Sequence, residues 1–230
     1  MRQTAPPRPQ TSPANATMRA YAEIKSKILN NELPPGSSHL EQDLAVLLAM
    51  SRTPVREALI RLAEERLVEI RPRHGIRVLP ISLKDMSDIY DLLTELEAHA
   101  ARRAAERGLS RSELANLEAA VAAMDNALRD DDLDAWSRAD SAFHESLIAA
   151  SGNDRLVGTV KLFLDQVHRA RQYTLRLRPK PVASNDDHRA VVEAIKARDA
   201  IRAHRIHHSH RARAGRLLLD LLAASEKSEF

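Results

Sequence analysis

The sequence contains no cysteine, only six glycines, and only 3% aromatic residues among 230. Without cysteine the chain forms neither disulfide bonds nor thiolate metal sites, which fits a protein of the reducing cytoplasm. No apolar run approaches the ~20 residues that a membrane-spanning helix needs. Hydrophobic residues make up 43% of the chain and are mostly Ala, Leu, Ile and Val. With so little glycine, this composition predicts a real core built from helices.

The first segment of the chain, residues 1–17, has a composition of its own. It contains four prolines, two arginines and no apolar stretch. A signal peptide needs an apolar stretch, and a folded element needs side chains to bury. We therefore predict a disordered N-terminal arm over residues 1–17.

Basic charge is concentrated in the N-terminal third, although the formal net charge is only +3. Residues 1–80 carry 12 Lys and Arg against 8 Asp and Glu, whereas residues 81–230 carry 23 against 24. A local surplus of positive charge is a weak signature of a domain that binds a polyanion such as DNA.

Residues 18–80 have the pattern of a winged helix-turn-helix domain. Apolar residues recur at helical spacing, and Thr17 and Ser51 stand where N-caps are expected. Two short alternating segments around Pro72-Arg73-His74-Gly75 predict a β-hairpin. The predicted elements are helices over 18–30, 41–48 and 51–66 and strands over 67–71 and 76–79.

Residues 81–230 are predicted to be helical throughout. Ser82 with Asp85, and Ser110 with Glu113, have the spacing of helix-capping pairs. Six helices with short connections indicate an antiparallel bundle. The predicted helices cover 83–107, 111–129, 132–150, 154–177, 185–198 and 199–224. The predicted fold is therefore mainly α: a winged helix-turn-helix with a small β-hairpin wing, followed by a six-helix antiparallel bundle.

The start of the third helix carries the strongest functional signal. Ser51, Arg52, Thr53 and Arg56 lie in its first turns, which enter the major groove in a helix-turn-helix. Arginine can bind guanine with two hydrogen bonds, and hydroxyls suit phosphates. The alternative is a solvated charged helix surface, but the three-helix pattern and the basic hairpin beside it favour DNA binding.

This first domain closely resembles the DNA-binding domain of the GntR family of bacterial regulators. The resemblance implies that Arg52 and Arg56 contact bases or phosphates and that Ser51 and Thr53 contact phosphates. It also implies that the hairpin tip at Gly75, with Arg73 and His74 beside it, enters the minor groove. Gln42 stands where many members have a DNA-contacting arginine. The matching residues are Ile24-x-x-x-Ile28, Leu33-x-Pro35-Gly36, Leu40-Glu41, Leu44-Ala45, Ser51 to Leu59, Leu62, Leu67-Val68 and Gly75.

In the second domain, Asp140 and His144 are four residues apart on one predicted helix, and His188 and His210 lie on two others. One carboxylate and three imidazoles would suit Zn²⁺, Mn²⁺, Ni²⁺ or a similar divalent ion. From spacing alone, an ordinary surface polar pair is the more frequent explanation of Asp-x-x-x-His. The remaining histidines of the last helix, His204, His207 and His208, are predicted to form a solvated basic face.

The helical half resembles the FCD-type effector domain of the FadR subfamily of GntR regulators, which implies that residues 81–230 form an effector-binding and dimerisation domain. The resemblance implies a divalent metal bound by Asp140, His144, His188 and His210. Leu93 stands where the family often has an arginine that binds an acidic effector. His99, Arg102, Arg103 or Arg171 could replace that arginine, and we name Arg102 and Asn153 as the effector-binding candidates. The supporting runs are Asp140-x-x-Phe143-His144, Ser151-Gly152-Asn153, His188-x-x-Val191-x-x-Ala194-Ile195, and Asp199 followed by His210.

The sequence therefore predicts a transcription regulator that acts as a repressor. It is expected to bind palindromic operator DNA as a homodimer and to respond to a small organic or sugar acid, without a membrane partner. Two alternatives belong to other classes: a metal-dependent hydrolase-like enzyme using the Asp/His site, and a purely structural DNA-binding dimer. No paired carboxylate, nucleophile or phosphate loop supports an enzyme.

Overall fold

A computed structural model describes residues 13–228 of the chain. The chain divides into two compact units, with the boundary between Pro80 and Ile81. Among the described residues, helices are too short or too polar to cross a membrane. The mainly helical fold class predicted from the sequence is confirmed.

The first unit contains three helices and three short strands. The apolar positions that the sequence spaces by three or four residues, such as Ala20, Ile24 and Ile28, are fully buried. They pack with Val55, Leu59 and other apolar residues into one core. The elements are α1 (Pro13–Leu29), β1 (Ser38–His39), α2 (Glu41–Leu47), α3 (Arg52–Glu64), β2 (Val68–Arg71) and β3 (Gly75–Val78).

The first helix begins earlier than predicted. Residues 13–17, assigned from the sequence to a disordered arm, form the first turn of α1, and the rest of that arm lies outside the described residues. Proline is tolerated in a first helical turn because the amide it lacks has no partner there. Thr17 is consequently inside the helix instead of capping it, and its hydroxyl donates to Glu57 Oε2 at 2.6 Å.

The wing is a three-stranded antiparallel sheet in the order β1-β3-β2, not a two-stranded hairpin. Strand β1 pairs Ser38 with Arg77 and His39 with Ile76. A strand of two residues has no alternation to detect, so the sequence pattern could not predict it. Pairing with β1 fixes the hairpin against the body of the domain.

The second unit is a bundle of six helices, and most of its boundaries match the predicted ones. Ser110 and Glu113 form a complete capping box at the start of α5, and Ser82 caps α4. The helix predicted from 185 begins instead at Val182, directly after Pro181. The helices are α4 (Leu83–Arg107), α5 (Arg111–Arg129), α6 (Leu133–Ala150), α7 (Asp154–Thr174), α8 (Val182–Lys196) and α9 (Ala200–Ser228).

Two apolar clusters hold the bundle together. The long helices α4 and α9 pack along each other, and Gly215 of α9 lies directly against the Tyr90 ring. In the other cluster, the indole N–H of Trp136 on α6 donates to Asn185 Oδ1 on α8 at 2.8 Å. This buried hydrogen bond connects two of the helices that form the site described below.

Candidate nucleic-acid interface and metal centre

The first turns of α3 present Ser51, Arg52, Thr53 and Arg56 to solvent. Ser51 occupies the N-cap position, but its side chain accepts no capping hydrogen bond. The first amides of α3 therefore lack a side-chain cap, and free amides at a helix N-terminus favour phosphate. The Arg52 side chain is 68% exposed and lies 3.9 Å from Glu41 Oε2, a contact too exposed to hold it firmly.

A groove between the start of α3 and the wing carries mostly positive charge. Arg52 and Arg56 line one side, and Arg71 and Arg73 line the other. Glu41 also lines it, and Glu69 pairs with Arg71 at 2.9 Å. Four guanidinium groups along one groove suit the phosphates and base edges of a DNA duplex.

The exposed tip of the wing consists of Pro72, Arg73 and His74. Gly75, predicted from the sequence to be at the tip, is instead the first residue of β3. Its φ is +78°, and a Cβ atom there would overlap the backbone carbonyl oxygen of His39. Glycine is therefore required at this position for the shape of the wing.

In the second unit the structure brings together the four predicted metal ligands, Asp140 and His144 from α6, His188 from α8 and His210 from α9. All four are buried, with at most 5% of each residue exposed. Asp140 Oδ1 lies 3.4 Å from His188 Nε2, and Asp140 Oδ2 lies 3.6 Å from His144 Nε2. One nitrogen atom from each of the three histidines lies within 4.8 Å of the others. Groups far apart in sequence thus meet at one point inside the bundle.

The Nδ1 atom of each of these three histidines has its own acceptor. His188 Nδ1 contacts the backbone oxygen of Ser184, and His210 Nδ1 lies 3.2 Å from Asp187 Oδ2. His144 Nδ1 lies 2.7 Å from Glu97 Oε2. Acceptors at Nδ1 leave Nε2 as the free lone pair, which is the arrangement that orients histidine ligands in metal sites.

Protonation states at this cluster suit a cation. Burial, followed by repulsion from His210, holds the pKa of His188 well below its ordinary value. Burial also lowers the pKa of His210, against the opposing effect of Asp187. Burial raises the pKa of Asp140, but Arg171 and the histidines outweigh it, and the net shift is downward. Neutral imidazoles beside an ionised carboxylate are the forms that bind a divalent ion, so the residues fit one.

Two further members of the cluster were not predicted. Glu97 on α4 is 1% exposed, and its Oε2 lies 3.1 Å from His207 Nε2. The prediction of a solvated His207 is therefore wrong, and burial lowers the pKa of this residue to about 3. The signal available in the sequence was the position of Glu97, four residues after Leu93 and four residues before Ala101 on the same helix. The structure buries both of these apolar residues fully.

Of the effector candidates chosen from the sequence, Arg171 pairs with Asp140 of this cluster, whereas Arg102 and Asn153 do not reach it. Arg102 has 53% of its side chain exposed and pairs with Glu106 at 2.8 Å. Asn153 caps α7 by accepting from the amides of Arg155 and Leu156. Leu93, in place of the family arginine, is fully buried among apolar side chains.

Both halves of the chain match known family models. The model described as "Bacterial regulatory proteins, gntR family" matches residues 16–78, and the FCD domain matches residues 88–213. An HTH-type transcriptional regulator of Agrobacterium vitis is 40% identical over 142 residues, covering 61% of this chain and 83% of that protein. The HTH-type transcriptional repressor GlaR of Escherichia coli is 28% identical, covering 84% and 91%.

Solved structures have the same architecture. McbR/YncC of Escherichia coli superimposes with a TM-score of 0.77 at 20% identity, over 89% of this chain and 97% of that one. A GntR family member from Pseudomonas syringae gives a TM-score of 0.55 at 26% identity, over 96% and 92%. The first of these similarities concerns the fold alone.

Proposed function

Because this chain belongs to the GntR family of bacterial regulatory proteins and carries an FCD domain, we propose that it is an effector-controlled repressor. Its relatives are transcription regulators and not enzymes. Regulators of this family bind operator DNA and, through the FCD domain, small-molecule effectors. Support for repression comes from relatives named as repressors, among them GlaR and the gluconate operon repressor of Bacillus licheniformis.

The observation that carries DNA binding is the exposed pair Arg52 and Arg56 at the uncapped start of α3. We propose that they contact base edges or phosphates, with Ser51 and Thr53 on phosphates. Arg73 and His74 at the wing tip approach the adjacent minor groove of the DNA, while Gly75 shapes the turn that carries them. A homodimer would apply two such surfaces to the two halves of a palindrome. Sedimentation equilibrium of the full chain should give twice the monomer mass of 25.7 kDa.

We predict that Arg52→Ala and Arg56→Ala each weaken operator binding by about 5–150-fold, the loss of about 1–3 kcal/mol of base contact. A gel-shift titration against duplexes selected from a random pool by the unmodified chain measures this. Arg66→Gln is the matched control, because Arg66 is exposed in the turn after α3, at the opposite end of that helix from Arg52 and Arg56. Unchanged affinity in both alanine variants, with the helical circular dichroism intact, would contradict the assignment.

We further propose that Asp140, His144, His188 and His210 bind a divalent ion, with Zn²⁺, Mn²⁺ and Ni²⁺ as the candidates. Support comes from the three buried imidazoles around one carboxylate and from the acceptors that orient them. A bound ion would offer a Lewis-acidic centre with coordination positions open to a carboxylate ligand. Asp187 and Glu97 would hold His210 and His144 in the required orientation.

His188→Ala is expected to lower the metal content of the purified full chain substantially. Elemental analysis of the metal-to-protein ratio gives the result. His208→Ala serves as control, since His208 lies on α9 with 40% of its side chain exposed, forms an ion pair with Glu95 and stacks on His204. Equal metal content in the two variants would reject the site.

A small organic or sugar acid is proposed as the effector. An acid that binds one arrangement of the dimer better than the other shifts operator affinity by that difference. Allosteric couplings of about 1–3 kcal/mol change occupancy about 5–150-fold. Adding candidate acids to the gel-shift titration, with and without chelator, tests whether the effect depends on the ion.

A further inference from the structure

One large apolar side chain, that of Ile60, lies on the exposed side of α3. Ile60 is 46% exposed. The residues of α3 that the core buries are Val55, Ala58, Leu59 and Leu62. Among the described residues, Ile60 belongs neither to that core nor to the partly buried apolar residues packed against it. Burial in the core therefore does not explain an isoleucine at this position.

The helical repeat places Ile60 on the face of α3 that Arg52 and Arg56 occupy. At about 100° per residue, Arg56 lies about 40° and Ile60 about 80° round the helix from Arg52. Thr53 lies at about 100° on the same scale. One concave surface is lined by Glu41, Arg52, Thr53, Arg56, Glu57 and Ile60. Ile60 thus faces the same way as the residues proposed to contact DNA.

Two carboxylates limit how far this face extends. Glu57 lies on its flank and accepts a hydrogen bond from the hydroxyl of Thr17 at 2.6 Å. Glu64, one turn beyond Ile60, is exposed near the end of α3. A negative charge there would repel the phosphates of a duplex. Ile60 is therefore the last residue along this face that suits contact with base edges.

A branched aliphatic side chain at this place fits one chemical feature of the major groove. The base edges there present hydrogen-bond donors and acceptors, and thymine alone adds an apolar group, its C5-methyl. Single exposed apolar residues are common on protein surfaces and need no explanation by themselves. Ile60 differs because arginines on the same face would bring it against DNA.

We propose that Ile60 reads a thymine in each half of the operator by packing against its C5-methyl group. This inference rests on the proposed DNA binding and deepens it, because it names a base that the chain discriminates. Ile60 lies about 6 Å beyond Arg56 along the helix. With about 3.4 Å between successive bases, the thymine should lie within about two base pairs of the nucleotide that Arg56 contacts.

Gel-shift titrations of the full chain against duplexes that carry uracil in place of single thymines test the proposal. Uracil pairs with adenine as thymine does and lacks only the C5-methyl group. The parent duplex is one selected from a random pool by the unmodified chain. At one position in each half-site, uracil should weaken binding about fourfold, equivalent to about 0.8 kcal/mol for one buried methyl group.

Ile60→Ala is the deciding variant, because an exposed side chain can be shortened without a cavity in the core. It should bind the parent duplex about fourfold more weakly than the unmodified chain does, and it should not distinguish thymine from uracil at that position. The dependence of its affinity on salt should stay the same, since no phosphate contact is lost.

Leu47→Ala is the matched control. Leu47 is another exposed aliphatic residue of the same unit, 55% exposed at the end of α2. This variant should retain the full preference for thymine. Circular dichroism of both variants establishes that the helices are intact.

Two results would overturn the proposal: no thymine whose replacement by uracil weakens binding, or a preference for thymine that survives in Ile60→Ala. Either result, with selective duplex binding intact, would leave the proposed DNA-binding function standing. An unmodified chain that selects no duplex from the pool would reject both the function and the reading of thymine.

Discussion

Glu97 shows how one buried side chain can organise several others. Its two oxygens contact His144, His207 and Arg211, so residues of α6 and α9 are held by one carboxylate of α4. Burial raises the pKa of Glu97, but Arg211 and His144 outweigh it, and the carboxyl stays ionised. An ionised group at this depth stabilises the fold only while its partners are present.

Glu97→Gln is predicted to cost about 3–5 kcal/mol of stability, because it leaves Arg211 buried beside a neutral amide. It should also weaken metal binding about 10–100-fold through misorientation of His144. Urea unfolding followed by circular dichroism, together with a metal titration, measures both effects. Glu95→Gln is the control, since Glu95 has 69% of its side chain exposed on the same helix. A Glu97→Gln chain as stable as the control would contradict this account.

At the level of residues, the sequence identified four side chains that the fold brings together, but it did not identify the residues around them. Asp140, His144, His188 and His210 were selected by resemblance, and the fold brings them together. Spacing alone favoured a surface pair, since it cannot show that α6, α8 and α9 converge. The sequence pattern did not single out Asp187, Glu97 and Arg211, because charged residues on helices are usually solvated. Only the tertiary packing distinguishes them from the exposed Arg102.

At the level of helices, two glycines illustrate opposite constraints. Gly215 in α9 packs against the Tyr90 ring of α4, where an added Cβ would lie 2.7 Å from Cδ1. Gly158 in α7 has no described atom within 4 Å of the same position. Glycine destabilises a helix by about 1 kcal/mol relative to alanine. The close packing of α4 against α9 must therefore offset the cost of Gly215.

Gly158→Ala should therefore raise the free energy of unfolding by about 0.5–1 kcal/mol. Gly215→Ala should lower it, because overpacking costs about 1–3 kcal/mol against a gain of about 1. Chemical denaturation of the two single variants measures the difference. If Gly215→Ala proved as stabilising as Gly158→Ala, Tyr90 would not be held in place by α9.

Helices were predictable from the sequence to within a few residues, and the failures have local causes. Ser110 and Glu113 marked the start of α5 because both capping hydrogen bonds are made by neighbours in the chain. The two residues of β1 could not be predicted as a strand, since their structure comes from pairing with β3, almost forty residues later in the chain. Elements that depend on distant partners carry little signal in their own sequence.

At the level of the whole chain, the two units have separate cores. The apolar cluster of the DNA-binding unit runs from Ala20 to Val78, and the two clusters of the bundle run from Met86 to Leu222. Each core is complete without residues of the other unit. Every proposed metal and anion contact belongs to the bundle, and every proposed DNA contact belongs to the first unit.

Residues 81–230 produced alone are therefore predicted to fold, to retain the divalent ion and to lose operator binding. An ion present at 100 times its dissociation constant adds about 2.7 kcal/mol of stability, so a chelator should lower the melting temperature of both fragment and full chain. Calorimetry with and without chelator gives the comparison. A fragment that lacks helical structure would show that the bundle depends on the first unit.

The buried hydrogen bond between Trp136 and Asn185 has a practical consequence. Trp136 is the single tryptophan of the chain, so all indole fluorescence originates in the bundle. It lies four residues before Asp140 on α6, and its partner lies three residues before His188 on α8. Intrinsic emission should therefore respond to an ion or acid that draws these two helices together. Binding of a dye-labelled duplex to the other unit would be followed by anisotropy at the dye wavelength. Ligand binding and DNA binding can then be measured in the same sample, and the coupling between them obtained from one titration.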